Sequence, residues 1–422
     1  MKKKIHFHSD CPFFAGQENM LVNFFNSIEI KEYFDLSFSY RFSPLYEEGL
    51  KKRVPAQNLP TLFPMRLWDY PQFSQKIKIK FPKLLSYFIL FFLNFLGIKF
   101  WFILRNFFVK LKTLSPLKNP GIDIVHINNG GLPGAYSCYS MALVGKFLKI
   151  PNILFVVNNQ AVPYNRISRY MEWPLDFILK KIVTLFITGS KSSALRLKNV
   201  LHLPYEKIHS IPNGINPREI ENHREIFLEI QNIQLKKEQL IFGMVALFEK
   251  RKGHHILIQA IKILKEKNID KTLPLFILEG SGPALEKIKK FVSENSLNEN
   301  ILFLPHQKNI FDFINALDIL LLPSVENEDF PNIILEAMSL GKPVISTIMA
   351  GIPEQVSHGE TGLLCEPGNP YELADAIEIL IKNSNLRSQM GSQGKQKFEE
   401  NFKNNISVAK YRKLYLDLTK EK

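Results

Sequence analysis

Cysteine is scarce in this 422-residue chain: Cys11, Cys138 and Cys365 are odd in number and far apart. That excludes a small disulfide-stapled scaffold, and no group of Cys, His or acidic residues has metal-ligand spacing. Behind the basic start, MKKKIHFHSD, no apolar run of signal-peptide length follows, so a cytoplasmic protein is expected. Repeats of solenoid period are also missing. With 45% hydrophobic and 22% charged residues, the chain is not disordered. At ~150 residues per domain its length allows two or three domains.

The most informative lack is acid. The net charge is +14, yet its source is uneven: residues 71–122 contain no Asp or Glu at all. These 52 residues hold nine cations, Lys76, Lys78, Lys80, Lys83, Lys99, Arg105, Lys110, Lys112 and Lys118, and ten of the 34 phenylalanines. A basic balance raises nucleic acid as a partner. Here the charge brackets a greasy stretch, LLSYFILFFLNFLGIKFWFIL, which nucleic acid does not need. An anionic membrane surface suits it better, with no nucleic acid partner. Residues 84–98 make a helix of about 22 Å, short of the ~30 Å hydrocarbon core. A single span would also put strands of one sheet on opposite sides of the bilayer. Residues 76–112 are therefore expected to dock without crossing, with Asn94, Lys99, Arg105, Asn106, Lys110 and Lys112 on one side of a helical wheel and a broad apolar face opposite. The alternative is that this face packs as core.

Elsewhere short apolar strands alternate with helical patterns. Strands are expected at residues 4–8, 34–40, 123–127, 152–157 and 185–188, with a loop at 9–16 and a helix at 135–148. After a Pro/Gly turn, IPNGIN, the alternation restarts. Strands at 240–247, 275–278, 301–304, 319–322 and 344–346 are separated by helices at 253–265, 284–295 and 331–340. This order predicts parallel sheets covered by helices, in two Rossmann-like α/β domains joined near residue 215.

Ligands of such sheets bind beyond the carboxyl ends of the strands. Four loops of the second half fall there: LFEKRKGHH, EGSGP, PSVENEDFPN and TIMAGIPE. Glu328 and Glu336 sit eight apart, one before a helix and one nearly two turns in. A carboxylate so placed can hold a ribose diol, or it is an ordinary helix-surface glutamate favoured by the helix dipole. Arg251 and Lys252 precede a helix, where two cations can clamp a diphosphate; the alternative is a solvated basic turn. Gly280 and Gly282 allow close backbone approach. His126, near a strand end, is either a ligand contact or a structural hydrogen-bonding residue.

Taken in order, IPNGI, RKG, EGSGP, ENEDFPNIILEAMSLGKPVI, AGIPE and ETGLL resemble the second half of glycosyltransferase family 4, of the group 1 type. Residues 211 to about 380 carry the resemblance; the first half matches through Gly16 and DIVHINNGG. The resemblance implies a GT-B fold, two facing Rossmann-like domains with a basic hydrophobic helical insertion in the first. The implied limits are 1–215 for an acceptor domain with its membrane-associating insertion at 76–112, 216–390 for a nucleotide-sugar domain, and 391–422 for a carboxy-terminal helix crossing back to the first. A single helix over about 392–418 is expected there.

The activity implied is retaining, hexosyltransferase-like transfer from a nucleoside diphosphate sugar to a lipid-linked or cell-surface glycan acceptor, as in polysaccharide or lipopolysaccharide biosynthesis. It implies a peripheral enzyme on the inner face of the cell membrane, needing no cofactor and no metal. Glu328, Lys252 and Arg251 are then catalytic. Glu336 would hold the donor ribose, with Phe330, Pro331, Asn332, Gly280, Gly282 and Gly16 also on the donor and its phosphates. His126 and Asn158 would contact sugar. Leu247 stands where the family often carries an arginine, Asn158 or Asn159 where it commonly has a histidine, and Asp329 where glycine is usual. The rival readings are a nucleotide-sugar epimerase on the same fold and a non-catalytic, membrane-associated binding scaffold.

Overall fold

The computed structural model describes residues 2–11, 14, 16–118, 121–267 and 273–420; Pro12, Phe13 and Ala15 of the expected loop 9–16 lie outside them. The chain forms two compact units, Met1–Ile211 with Ser407–Lys422, and Pro212–Ile406.

The first unit is built on seven parallel strands: β1 (Lys3–Ser9), β2 (Phe34–Arg41), β3 (Thr61–Met65), β4 (Ile124–Asn129), β5 (Asn152–Val157), β6 (Leu185–Thr188) and β7 (Ile208–Ser210). Their order is β3-β2-β1-β4-β5-β6-β7, reversing between β1 and β4. An all-parallel sheet must be covered on both faces. One face packs into a cluster with Phe7, Phe24 and Phe38, the other into one with Val125, Phe155 and Met141.

The carboxy terminus is two helices rather than one. Ser384–Asn401 belongs to the second unit, where Met390 and Phe398 are core residues, and Asn404–Thr419 runs on into the first. The break has a cause: the Ile215 N–H donates to the Phe402 carbonyl and the Asn404 N–H to the Ile215 carbonyl, each at 3.1 Å. Tyr411 and Tyr415 of the last helix fill the Phe24 cluster.

The acid-free segment forms three helices, Tyr70–Lys80, Lys83–Phe95 and Ile98–Leu114. Among the described residues no single helix is long and apolar enough to cross a membrane; the last two pass that test only as a pair bent by 60°. The bend falls at Gly97, whose φ of +74° suits glycine. On Ile98–Leu114 the amphipathicity is partly inverted: Asn106 and Lys110 of the polar side face the protein along with Phe102, Ile103 and Leu114, while Lys112 stays exposed. Asn106 and Lys110 are fully buried. Asn106 brackets Trp68, accepting from its N–H at 2.8 Å and donating to its carbonyl at 2.9 Å. Lys110 donates to the Ser137 carbonyl at 2.5 Å and to Ser140 Oγ at 2.8 Å. Lys99 pairs with Glu172 at 2.6 Å, beside the rings of Tyr70 and Tyr136. Buried cations need such partners, so these residues anchor the insertion and are withdrawn from the solvated face expected of them. Leu84, Tyr87, Phe88, Phe91, Phe92, Phe100, Trp101 and Phe108 are left exposed.

Burial lowers the pKa of His6 and of His126 to about 3, and that of His8 well below its usual value; for His6 and His8 the Lys110 charge adds to this. Below about 6.5 the unfolded chain takes up these protons and the native unit does not. Stability should therefore fall as pH drops from about 6.5, by up to roughly 1.4 kcal/mol per pH unit for each ring. Burial likewise lowers Lys110 to about 7, so the rise with pH continues above neutrality. Chemical denaturation at pH 5, 6 and 7 tests this, and His126→Leu should flatten the slope.

The second unit has six parallel strands, β8 (Ile241–Val245), β9 (Leu275–Glu279), β10 (Ile301–Leu304), β11 (Ile319–Leu322), β12 (Val344–Thr347) and β13 (Gly362–Cys365), in the order β10-β9-β8-β11-β12-β13. Helices cover both faces. One core gathers Phe242, Leu257, Ile261 and Ile377, the other Ile241, Phe313, Leu335 and Phe398.

Candidate active site

Strand order in the second unit reverses between β8 and β11, so the loops after these strands flank the place where open α/β sheets bind ligands. The two loops are fused. Gly253 has φ +79°, and a Cβ on it would lie 1.8 Å from the Pro323 carbonyl oxygen, so only glycine permits the approach. The Arg251 carbonyl accepts from the N–H groups of Val325 at 2.7 Å and Glu326 at 3.3 Å.

This contact places both cations of the first loop on the carboxylate of the second. Glu328 is buried. Its Oε1 accepts from Lys252 Nζ in a very close ion pair, from Arg251 Nη1 at 3.3 Å and from Ser324 Oγ at 3.5 Å. Arg251 also binds Glu249 at 2.6 Å and the Asn327 carbonyl at 3.1 Å. The left-handed residue of this loop is Asn327, at φ +52°. Glu328, Lys252 and Arg251 are thus brought together.

The helix Asn332–Ser339 follows, with Pro331 at its cap and Glu336 half-buried on its second turn. Phe330 is turned inward, its ring 5.6 Å from Phe402, so its side chain belongs to the core. The Pro331 carbonyl accepts from Gln355 Nε2 at 3.1 Å, and Asn332 Oδ1 from Asn213 Nδ2 at 3.3 Å. Gly280 and Gly282 are explained by their neighbours. Cβ atoms there would lie 2.2 Å from the Ala246 carbonyl oxygen and 2.7 Å from the Phe248 nitrogen, so both glycines serve the fit between the β8 and β9 loops.

Two further residues border these loops. Glu279, buried at the end of β9, accepts from the Gln307 N–H at 2.7 Å and faces His306 Nδ1 at 3.0 Å; burial raises its carboxyl pKa. His254 stacks on Phe248 at 4.3 Å, and its buried ring nitrogens have no hydrogen-bond partner among the described residues. Burial first, then the charges of His255 and Lys252, lowers its pKa to about 4. No group of three or more His, Cys, Asp or Glu among the described residues could hold a metal ion.

Residues 226–397 match the family model of glycosyl transferases group 1. They are a group 1 glycosyltransferase domain. Over 322 residues the chain is 28% identical to N-acetyl-alpha-D-glucosaminyl L-malate synthase of Bacillus anthracis, covering 74% of this chain and 78% of that protein. It is 31% identical over 195 residues to the capsular polysaccharide biosynthesis glycosyltransferase CapM of Staphylococcus aureus, covering 46% and 50%. The crystal structure of Anabaena HepE in complex with UDP and glucose superposes with a TM-score of 0.73 at 17% identity, over 98% of this chain and 99% of that one. The fold is GT-B.

In the first unit, strand order reverses at β1 and β4, and a polar network occupies the strand ends there. Gly16 opens a short turn, Gly16–Glu18. Glu18 is buried and accepts from Ser9 Oγ at 2.7 Å and Asn128 Nδ2 at 3.2 Å. Asn158 donates through Nδ2 to Asn128 Oδ1 at 2.7 Å and to the Asn129 carbonyl at 3.0 Å. Asn158 therefore lies at the end of strand β5, and Gly16 opens the turn whose Glu18 bonds the last residue of β1. His126 is not at a strand end: its ring sits in the core, 5.0 Å from Phe7, with Nδ1 2.8 Å from the Tyr415 hydroxyl. Its role is structural, because the ring points into the sheet face that the last helix covers. Glu18, Ser9, Asn128, Glu279 and His254 are absent from the sequence-derived set. The available signals were a carboxylate two residues after Gly16 and one closing the apolar strand LFILE.

Proposed function

We propose that this glycosyltransferase is a retaining enzyme that moves a hexose from a nucleoside diphosphate sugar to a lipid-linked or cell-surface glycan acceptor at an anionic membrane surface. The observation that carries the reading is the meeting of Lys252 and Arg251 with Glu328 at the strand-order reversal, Glu328 itself standing eight residues before Glu336. A donor diphosphate offers Lys252 and Arg251 anionic oxygens in place of the Glu328 carboxylate, which then turns toward the sugar. Glu336 holds the ribose. Glu279 positions the 304–307 backbone for the base.

In the reaction, the bond from the anomeric carbon to the diphosphate breaks and a bond to the acceptor oxygen forms on the same face. The acceptor proton passes to the departing phosphate oxygen. Catalysis is positioning and stabilisation of separated charge, with the countercharge supplied by Lys252, Arg251 and helix amides, so no metal is called upon. HepE was crystallised with UDP and glucose, which makes uridine the first base to test. Incubation with UDP-, GDP- and ADP-sugars and a polyprenyl-linked acceptor, followed by NMR of the product's anomeric proton, tests the reading. Inversion, or hydrolysis without a product, contradicts it.

The partly inverted insertion supports the membrane part. Lys76, Lys78, Lys80 and Lys83 are exposed beside the aromatic face, and each surface cation adds about 1 kcal/mol on anionic lipid. Changing all four to Gln should release the protein from phosphatidylglycerol vesicles in flotation while leaving binding to neutral vesicles unaltered. Equal recovery of the two proteins on anionic vesicles contradicts electrostatic docking on the inner leaflet.

A further inference from the structure

One concavity of the first unit is unlike the polar surfaces around the strand ends. It runs between the helices Ile98–Leu114 and Tyr136–Phe147, has a volume of about 370 Å³, and is walled by Phe100, Ile103, Leu104, Phe107, Leu143 and Phe147. Its single polar contributor is Lys146. The volume is in the range of small-molecule sites. Water in such a groove finds almost no hydrogen-bond partner. The surrounding surface says what can reach it. Phe100 is itself one of the exposed aromatics of the insertion, beside Trp101 and Phe108, while Phe147 continues that apolar surface onto the second helix. Lys146 is exposed at the groove, so an apolar tail and one anionic head are what the lining complements. The two helices are also held firmly enough to keep a groove open. Lys110 bonds Ser137 and Ser140, and the Phe107 and Phe147 rings meet edge-on at 5.8 Å.

We propose that this groove takes one hydrocarbon chain of an anionic membrane phospholipid, with the lipid phosphate at Lys146. The inference rests on the membrane-docking part of the reading above and adds to it a defined lipid site. A hydrocarbon chain drawn out of the leaflet would seat the protein at a fixed depth and rotation, which an aromatic face lying on the surface does not specify.

The test uses the full chain on vesicles containing phosphatidylglycerol with a photoreactive diazirine in one acyl chain. After irradiation, peptide mass spectrometry should place the label within residues 98–114 and 136–147, on groove-lining positions. Leu143→Trp, which fills the groove, should lower that labelling at least fivefold while flotation stays within twofold of the parent. Leu104→Trp, on the other wall, is the second filling variant should the first lose its fold. Lys146→Gln should erase the preference for labelled phosphatidylglycerol over labelled phosphatidylcholine. Labelling confined to residues 84–97 and unchanged by both tryptophans overturns the groove and leaves docking intact. Absence of flotation of the parent protein overturns both.

Discussion

Replacing Lys252 with alanine should lower sugar transfer about ten- to a hundredfold without unfolding the protein. Lys252 is largely enclosed and makes the closest contact to Glu328. Losing one charged hydrogen bond costs roughly 1.5–3 kcal/mol, which sets that range. Glu336→Ala should act similarly through the ribose, though it leaves the Lys252–Glu328 pair whole. Glu328→Gln separates the two effects: it keeps the shape of the loop but frees Lys252 from its anion, while Arg251 keeps Glu249. It should slow turnover while leaving the affinity for nucleoside diphosphate intact or improved, because the diphosphate no longer competes with a carboxylate. Steady-state kinetics with thermal melts of each variant decide the matter. Near-normal turnover of both Lys252→Ala and Glu336→Ala would sink the site assignment.

Gly253→Ala should be the most damaging single methyl group in the second unit. The position combines φ +79° with a backbone oxygen only 1.8 Å from where the methyl would sit. Left-handed strain in a non-glycine residue costs of order 1–3 kcal/mol, and forced overpacking against backbone a further ~1–3 kcal/mol. The β8 and β11 loops must part, and with them Lys252 and Glu328. The expected result is a fall of several degrees in melting temperature together with loss of nucleotide binding. Gly359→Ala is the control: it too has positive φ, +81°, but nothing lies within 4 Å of the added carbon. If Gly253→Ala melts and binds like the parent, the loops are not fused in the way described.

Much of the fold was legible because buried parallel strands are short continuous apolar runs. Ile301–Leu304, Ile319–Leu322 and Asn152–Val157 are read from the sequence at their observed limits. Thr61–Met65 is not, since Pro64 interrupts it and an edge strand tolerates such a residue. Gly362–Cys365 opens on a glycine and Ile208–Ser210 is only three residues, two of them polar, so neither shows a continuous apolar run. The helical wheel sorted the insertion's polar and apolar sides but could not say which side met protein. That depended on Glu172, Ser137 and Trp68, far away in the chain. In the candidate site, residue types and their order along the loops were readable. The pairing of Lys252 with Glu328, 76 positions apart, was not, because it arises only when Gly253 lets two loops touch. His126 misled for a related reason: a histidine within an apolar strand looks the same whether its ring faces a ligand or a helix from the far end of the chain.

Donor binding by the second unit is the step on which Lys252, Arg251 and Glu336 all bear. Calorimetric titration of the full chain with UDP-, GDP- and ADP-sugars measures it. Saturable binding of at least one of them, weakened tenfold or more by Lys252→Ala, is the result predicted. Binding of none, or equal affinity in the parent and the variant, would contradict it.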